Sequence, residues 1–371
     1  MKILIRQFLG QNHSWSVSGW GIANSLKKNH TVHLFPTDGI KHIPKSLKGN
    51  VIGYTELDKP LDLKGKAPDP EYDCQISYTA MKNFPNLLKN GKKNRFGIWC
   101  YEWNGKNVLP DGFAAKYKYC DKILAPSNFA KEVFLNSAIP ENHIEVISHG
   151  INFTGSKNKI KLPTNKKVKI LANIAQNHIR KNINGLLTAY GKAFTNKDDV
   201  CLIIKGKGKK ATHPFDVSLN DLIKEYKSKY NAEIKLFEEY VEDIQDLYNS
   251  IDIVFTMSHC ECFYYPGLEG LASGKLNIAP NYGGQLDFLN TSNSLLVSGK
   301  IERANPISMY WTSKNNAEWF MPDIDDAVDK LKYAYNNFEK ENYKLELNKE
   351  NVIKEYNWDN ITNKILSLAK V

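Results

Sequence analysis

Residues 251–289 constrain the fold of this 371-residue chain more than any other stretch. The apolar start of this stretch, 251–255, has the β-branched and aromatic content of a short buried strand. Pro266 stands where the first residue of a helix would, because its fixed φ suits a helix and its missing N–H is not needed there. Gly274 suits the left-handed residue that ends a helix, and 276–279 has the composition of the next strand. The stretch therefore predicts a βαβ unit, whose ligands gather at the carboxyl ends of the strands.

Two carboxylates frame the predicted ligand site. Glu261 lies in the loop before the helix and Glu269 about one turn into it, with seven residues between them. The N–H groups at the start of the helix favour an anion such as a diphosphate. A carboxylate beside them can accept hydrogen bonds from both hydroxyls of a ribose. We therefore expect Glu269 to hold a ribose and Glu261 to orient the group that hangs from the distal phosphate.

With the Gly283–Gly284 turn that follows, the stretch resembles the donor site of retaining, nucleotide-sugar-dependent glycosyltransferases of the GT-B fold, family four (glycosyl transferases group 1). These proteins carry an E-x7-E element followed by a Gly-Gly turn. The resemblance implies an α/β protein with two Rossmann-like domains, a cleft between them and a C-terminal helix crossing back. The usual small, glycine-containing loop is replaced here, and the residues implied to line the donor site are Phe263, Tyr264 and Tyr265.

The resemblance also implies a division of the chain. Residues 1–153 would form an N-terminal, acceptor-binding Rossmann-like domain. The polar stretch 154–162 suits a linker. Residues 163–350 would form the nucleotide-sugar-binding Rossmann-like domain, and 351–371 a helix that packs back on the first domain.

Two places in the first half are candidates for the site. Gly19, Trp20 and Gly21 follow the first predicted strand, where glycines at a strand-to-helix turn let backbone N–H groups approach a phosphate or sugar. The resemblance places this turn opposite the distal end of the donor. Glu102 follows a later strand, where family members often place a His or a carboxylate near the transferred sugar. His149, near the end of the first half, is a candidate for lining the cleft, but a structural hinge histidine is the favoured interpretation.

Cations of the second half are candidates for the diphosphate. Arg180 and Lys181 stand at a strand–helix junction, and their charge suits a departing diphosphate. The resembling family usually has an Arg about six residues before the Lys, where this chain has Ala175. Arg180 or Lys205 would then replace that Arg. Residues 236–240 are predicted to be a strand, followed by Val241, where the nucleobase of the family's donor contacts the backbone.

The composition of the chain narrows the class of protein. No apolar run approaches the roughly 18 residues of a membrane span, and the N-terminus lacks the apolar core of a signal peptide. The six cysteines show no framework spacing, so we expect them to be reduced and the protein to be cytoplasmic. The run His259–Cys260–Glu261–Cys262 has no second Cys/His pair at matching spacing, and no metal site is expected.

The charge is uneven along the chain. Residues 1–150 hold 20 Lys/Arg and 13 Asp/Glu, against 30 and 27 in the remainder, or +7 and +3. A basic first half suits an acidic partner such as an anionic membrane, to which the protein would be peripheral, or nucleic acid. The alternative is a compositional bias towards lysine and asparagine. The basic runs are residues 89–95 and 116–119.

The resulting prediction is a retaining, metal-independent glycosyltransferase of the hexosyl or pentosyl class, with a nucleotide-diphosphate sugar as donor and no cofactor. The acceptor would be a glycan or a lipid-linked intermediate. The alternative is a phage-type DNA glycosyltransferase that modifies a hydroxymethylated base in an infected cell. A sugar-nucleotide epimerase, or a binding protein without turnover, ranks lower.

Overall fold

The computed structural model describes residues 1–10, 14–52, 72–88, 93–174, 178–209, 217–304 and 317–369. The chain divides into two compact units. Unit 1 comprises Met1–Asn152 together with the C-terminal segment from Lys354, and unit 2 comprises most of Phe153–Ile353. Ala175 and residues 89–92 of the first basic run lie outside the described residues.

Unit 1 is built on a parallel sheet with the strand order β2-β1-β3-β4-β5-β6. Its central strands β1 and β3 are almost continuously buried, as expected for parallel strands covered on both faces, whereas the edge strands β2 and β6 are buried only in part. In register, Ile3 of β1 lies beside Val32 of β2 and Cys74 of β3. The strands are β1 Lys2–Gln7, β2 Thr31–Pro36, β3 Cys74–Tyr78, β4 Arg95–Ile98, β5 Lys122–Ala125 and β6 Ile144–Val146.

Helices cover the sheet of unit 1, and one of them comes from the end of the chain. Helix α4, Asn128–Asn136, begins after Ser127, whose hydroxyl accepts a hydrogen bond from the Ala130 N–H at 3.1 Å. The α-helices are α1 Ser14–Leu26, α2 Lys45–Lys48, α3 Phe84–Leu87, α4 Asn128–Asn136 and the C-terminal α10 Trp358–Ser367, and the 3-10 helices are Met81–Asn83, Ala114–Tyr119 and Glu141–His143.

Helix α10 packs on α1 inside unit 1. Trp358 is 7% exposed and belongs to the apolar core of this unit. Its indole fills the space where a Cβ on Gly21 or Gly150 would lie, at 2.1 and 2.6 Å respectively. At the rim, the Ser25 hydroxyl donates to the Asp359 carboxylate at 2.6 Å. The C-terminal helix is therefore part of the hydrophobic core of the first unit.

The structure corrects the placement of the predicted glycine turn. Gly19, Trp20 and Gly21 do not form a strand-to-helix turn, because α1 already begins at Ser14. A Cβ on Gly19 would lie 2.5 Å from the side chains of Gln7 and Leu9, and Gly21 lies under Trp358. Both glycines therefore permit close packing in the core.

Unit 2 contains a second parallel sheet, with the order β12-β11-β10-β7-β8-β9. The predicted strand 236–240 is shifted, because β9 pairs with β8 from Glu233 and ends at Phe237. A separate antiparallel pair, β13 with β14, follows β12 in the chain. The strands are β7 Val168–Asn173, β8 Val200–Lys205, β9 Glu233–Phe237, β10 Ile253–Phe255, β11 Leu276–Pro280, β12 Ser294–Val297, β13 Gly299–Arg303 and β14 Glu318–Pro322.

The helices of unit 2 include the one that the sequence predicted between β10 and β11. Gly274, which follows it, has φ +65°, the left-handed conformation that glycine adopts at a helix end. The helix begins one residue earlier than predicted, so Pro266 is its second residue. The helices are α5 Ile183–Ala193, α6 Leu219–Lys229, α7 Ile244–Asn249, α8 Tyr265–Ala272 and α9 Ile324–Tyr356.

Residues 154–162 carry no helix or strand, yet they are held against α7. The Thr154 hydroxyl donates to Asp243 at 2.6 Å, and the Ser156 hydroxyl donates to Asp246 at the same distance. The Gln245 side chain accepts from the N–H groups of Thr154 and Gly155. This segment is therefore an ordered part of unit 2.

We predict that Trp358→Ala lowers the free energy of unfolding by about 3–5 kcal/mol, the usual cost of truncating a buried aromatic side chain. Urea denaturation followed by circular dichroism measures the change. Lys364→Ala, at an exposed position of the same helix, is the control and should change stability by less than about 0.5 kcal/mol. Equal stabilities for the two variants would contradict the packing role of Trp358.

Candidate functional site

The candidate residues of unit 2 follow the carboxyl ends of adjacent parallel strands. Arg180 and Lys181 come after β7, Lys205 ends β8, and Glu261 comes after β10. Because neighbouring parallel strands end at the same edge of a sheet, these side chains share one edge. Val241 lies at the same edge, between β9 and α7.

A short turn presents the two cations. Residues Ile179–Lys181 form a single 3-10 turn, capped by His178, whose Nδ1 accepts a hydrogen bond from the Arg180 N–H at 3.1 Å. Asn182 then adopts the left-handed conformation with φ +46°, which asparagine tolerates better than most residues. Its side chain also accepts from the Gly185 N–H and caps α5. The chain reverses within a few residues and directs Arg180 and Lys181 to one side.

Both cations contact the same carboxylate. Arg180 Nη1 lies 2.9 Å from Glu261 Oε2, and Lys181 Nζ lies 2.6 Å from Glu261 Oε1. The Glu261 side chain is only 5% exposed. Burial acts to raise the pKa of this carboxyl, but the charges and hydrogen bonds of Arg180 and Lys181 outweigh it and lower the pKa to about 2. Glu261 is therefore ionised at every physiological pH.

The Gly-Gly turn holds the backbone of Glu261. The Gly284 N–H donates to the Glu261 carbonyl at 2.7 Å. Gly283 has φ +96°, and a Cβ there would lie 2.8 Å from the same carbonyl. Position 283 therefore requires glycine for its conformation and for the close approach of the Glu261 backbone.

Glu269 lies on α8 in a different environment. Its Oε2 accepts a hydrogen bond from the hydroxyl of Tyr248, a fully buried residue of α7, at 2.7 Å. Burial raises the pKa of Glu269 to about 7, and the hydrogen bond from Tyr248 opposes this only in part. Sequence reasoning missed Tyr248. The sequence feature that could have indicated Tyr248 is a hydroxyl-bearing residue on the apolar side of α7, the helix that precedes β10.

The other predicted donor-site residues of unit 2 occupy the surroundings. Lys205 Nζ donates to the carbonyl of Glu239 at 2.8 Å, and burial lowers its pKa. Tyr264, which precedes α8, is 2% exposed and packs over Gly267. The Phe263 ring lies 5.0 Å from Tyr265, so this aromatic loop is part of the local core.

The candidates of unit 1 occupy a separate strand edge. Glu102 is half-buried in the extended segment after β4. The Trp20 indole N–H donates to the carbonyl of Leu9 at 3.0 Å. His149 is buried after β6, and its Nε2 lies 3.2 Å from the Tyr78 hydroxyl and 3.5 Å from Cys100 Sγ. These contacts agree with a structural role for His149.

Two general properties concern metals and membranes. Within the described part of the chain, no group of three or more His, Cys, Asp or Glu side chains is arranged to hold a metal ion. His259, the first residue of the run at 259–262, has its Nδ1 2.9 Å from the carbonyl of Phe320.

None of the helices in the described residues is long and apolar enough to cross a membrane.

Comparison with known proteins agrees with this geometry. The family model "Glycosyl transferases group 1" matches residues 156–305, which include Arg180, Lys181, Glu261 and Glu269. An uncharacterized glycosyltransferase of Methanocaldococcus jannaschii is 23% identical over 285 residues, which cover 73% of this chain and 65% of that protein.

Solved structures resemble the whole chain. A glycosyltransferase of Rickettsia africae has a TM-score of 0.69 at 20% identity, covering 100% of this chain and 98% of that one. Anabaena HepE in complex with UDP has a TM-score of 0.67 at 15% identity, covering 99% of both chains. Sucrose-phosphate synthase of Thermosynechococcus elongatus has a TM-score of 0.69 at 14% identity, covering 99% and 98%. These likenesses show that the chain has the two-domain GT-B fold, and its residues 156–305 resemble the group 1 glycosyltransferases.

The raised pKa of Glu269 predicts a pH-dependent effect of Glu269→Gln on stability. A folded-state pKa of about 7, above the ordinary 4.5, means that the contribution of Glu269 to stability is complete below pH 4.5 and is lost as the pH rises through 7. Glutamine imitates the protonated acid and can still accept from Tyr248. The variant should equal the wild type at pH 4.5 and exceed it at pH 8.5 by up to about 3 kcal/mol.

Urea denaturation at the two pH values measures this difference. Glu225→Gln, at an exposed position of the same unit, is the control and should change stability by less than about 1 kcal/mol at both pH values. A Glu269→Gln variant no more stable than the wild type at pH 8.5 would show that Glu269 is not held in a desolvated environment.

Proposed function

We propose that this protein transfers a sugar from a nucleotide-diphosphate sugar to a hydroxyl acceptor with retention of the anomeric configuration. The buried contact of Arg180 and Lys181 with Glu261, in the unit whose helix α8 carries Glu269, is the observation that carries this proposal. The descriptions of the HepE structures, which name UDP and UDP-glucose, support a donor of this class.

The charge of the cluster suits a diphosphate. Arg180 and Lys181 carry two positive charges against one negative charge on Glu261, which leaves the three side chains at +1. Their side chains are only 12–14% exposed, so an anion that reaches them is poorly screened by water. As the glycosidic bond breaks, negative charge develops on the leaving phosphate, and this fixed positive charge stabilises it.

The two carboxylates suit different parts of the donor. Glu269 lies on α8 with Tyr248 fixing one carboxylate oxygen, and its remaining acceptor capacity suits the ribose hydroxyls. Glu261 is held ionised beside the cations, where it can orient hydroxyls of the transferred sugar. Lys205, Val241, Phe263, Tyr264 and Tyr265 would complete the donor site, with Gly19, Trp20 and Gly21 of unit 1 as further candidates.

The proposed step needs no protein nucleophile. The departing phosphate oxygen takes the proton of the acceptor hydroxyl on the face where the new bond forms, so the configuration is retained. Glu102 is the candidate of unit 1 for contact with the sugar or acceptor. Neutralisation of the diphosphate by Arg180 and Lys181 makes the reaction metal-independent in this proposal, and no cofactor takes part.

We predict that Glu269→Ala weakens binding of a UDP-sugar and of UDP about tenfold or more, because a hydrogen bond to a charged group is worth about 1.5–3 kcal/mol. Glu261→Gln should instead slow hydrolysis or transfer of the donor and change UDP affinity less, because its proposed partner is the sugar. Calorimetry and a donor hydrolysis assay, both in EDTA, measure the two effects.

Controls distinguish the ribose contact, metal independence and the proposed function as a whole. Glu225→Ala should bind and turn over donor like the wild type. Unchanged affinity in a folded Glu269→Ala variant would contradict the ribose contact, and activity that requires added magnesium or manganese would contradict metal independence. Absence of binding to any of several nucleotide-diphosphate sugars by the wild type would overturn the proposed function.

The acceptor is proposed to be a glycan or a lipid-linked intermediate, with DNA as the alternative. The feature that favours a polyanionic acceptor is the 3-10 helix Ala114–Tyr119 of unit 1. Lys118 and Tyr119 are exposed there, and Lys116 Nζ lies 5.9 Å from the centre of the Tyr119 ring. Arg95 of the other basic run forms an ion pair with Asp121 at 2.8 Å, so its positive charge is partly neutralised and less able to attract a polyanion.

We predict that the wild type binds duplex DNA or anionic lipid vesicles with an affinity that falls as salt rises. Each phosphate contact contributes a log–log slope of about −0.9 on duplex DNA, so replacing Lys116 and Lys118 by Ser should reduce the slope by about two units. Replacing Lys224 and Lys227, exposed on α6 of unit 2, is the matched control and should leave the slope unchanged.

The outcome discriminates the acceptors. Binding to DNA and not to vesicles, followed by transfer onto hydroxymethylated DNA only, would favour the DNA alternative. Binding to neither at about 50 mM salt would show that the basic charge is compositional, and a small neutral glycan would then be the better acceptor.

A further inference from the structure

The antiparallel pair β13–β14 contacts the loop that carries Glu261. Trp319 of β14 stacks on His259 with ring centroids 4.1 Å apart, and Phe320 stacks on Tyr282 at 5.4 Å with an interplanar angle of 7°. His259, Trp319 and Phe320 are each only 6–7% exposed. The His259–Trp319 contact is therefore buried, although β13 and β14 form a two-stranded sheet separate from the parallel sheets.

His259 is bonded on two sides. Its backbone N–H donates to the carbonyl of Arg180 at 2.9 Å, and its carbonyl accepts from the Phe320 N–H at 2.9 Å. Its Nδ1 lies 2.9 Å from the Phe320 carbonyl. Since a carbonyl only accepts, Nδ1 carries the proton in this contact. One residue thus links the turn at Ile179–Lys181 to β14.

Arg180 is fixed at both ends by the same loop. Its backbone carbonyl accepts from the His259 N–H and from the Ser258 hydroxyl, at 2.9 and 3.2 Å. Its Nη1 donates to the carbonyl of Cys260 at 2.5 Å and to the Glu261 carboxylate at 2.9 Å. A displacement of His259 would therefore move the backbone of Arg180 and the groups that hold its guanidinium.

We propose that His259 and Trp319 are positioning residues, through which β14 holds Arg180 and Glu261 in the geometry that receives the donor diphosphate. The inference rests on the proposed function for its binding measurement. It gives a role to the His259–Cys260–Glu261–Cys262 run and to the pair β13–β14, which belongs to neither parallel sheet.

Calorimetric titration with UDP tests this proposal. Trp319→Leu and His259→Leu should each weaken UDP binding roughly tenfold, because they release the loop that orients Arg180. His259→Asn keeps an N–H donor near the position of Nδ1 and should recover most of that loss. Tyr226→Phe, which removes a buried hydrogen bond to Ala232 elsewhere in unit 2, is the matched control and should bind UDP like the wild type.

A double variant separates positioning from general destabilisation. If Trp319 acts through Arg180, then Trp319→Leu should add little to the loss already caused by Arg180→Gln. A further tenfold loss in the Arg180→Gln background, or a His259→Asn variant as weak as His259→Leu, would overturn the proposal.

Hydrogen exchange tests the same link without a ligand. Trp319→Leu should speed amide exchange in peptides covering 178–182 and 258–262, and Tyr226→Phe should not. Faster exchange confined to β13–β14 would overturn the positioning role. If the wild type does not bind UDP but this exchange pattern is found, the proposed function fails and the structural link stands.

Discussion

The carboxylate of Glu261 is the interaction on which the arrangement of the site in unit 2 depends. A buried carboxylate without partners is strongly unfavourable, and it is tolerated here because two cations contact its two oxygens. Those cations come from the turn after β7, whereas the carboxylate comes from the loop after β10. The pair therefore requires these two strands to be neighbours in the sheet, as the order β11-β10-β7-β8 makes them. The contact between these charges thus depends on the strand order of the sheet.

The two glutamates of the E-x7-E stretch show how environment separates identical side chains. Glu261 is buried and Glu269 is half-buried, yet the pKa of Glu261 is lowered to about 2 and that of Glu269 is raised to about 7. The difference comes from their partners, because two cations contact Glu261 whereas a neutral hydroxyl contacts Glu269. An ionised group beside cations suits a role next to phosphate and sugar. A group that titrates near neutral pH suits hydrogen bonding to ribose hydroxyls, which bind to the ionised form and compensate for the lost water.

The sequence predicted what depends on neighbours along the chain. The strand, helix, left-handed Gly274 and strand of residues 251–280 follow from local patterns, and the structure has all four. The contacts that the sequence could not predict are those between residues far apart in the chain. Tyr248 contacts Glu269 across two helices, and Trp319 reaches His259 from 60 residues further along the chain. The family pattern marked Lys181 and Glu261 as site residues and left Arg180 or Lys205 to replace the usual Arg, but only the fold shows that Arg180, Lys181 and Glu261 share one contact.

The glycines show why a residue type alone did not reveal its role. Gly21 and Gly283 both stand in stretches that resemble ligand-binding turns, and each is glycine because another group occupies the place of its Cβ. At Gly21 that group is the indole of Trp358, so the missing side chain serves the packing of α10 on α1. At Gly283 it is the backbone of Glu261, so a side chain there would displace the carboxylate that Arg180 and Lys181 contact. A substitution at Gly21 therefore acts on the stability of unit 1, whereas one at Gly283 acts on the position of a charge in the candidate site.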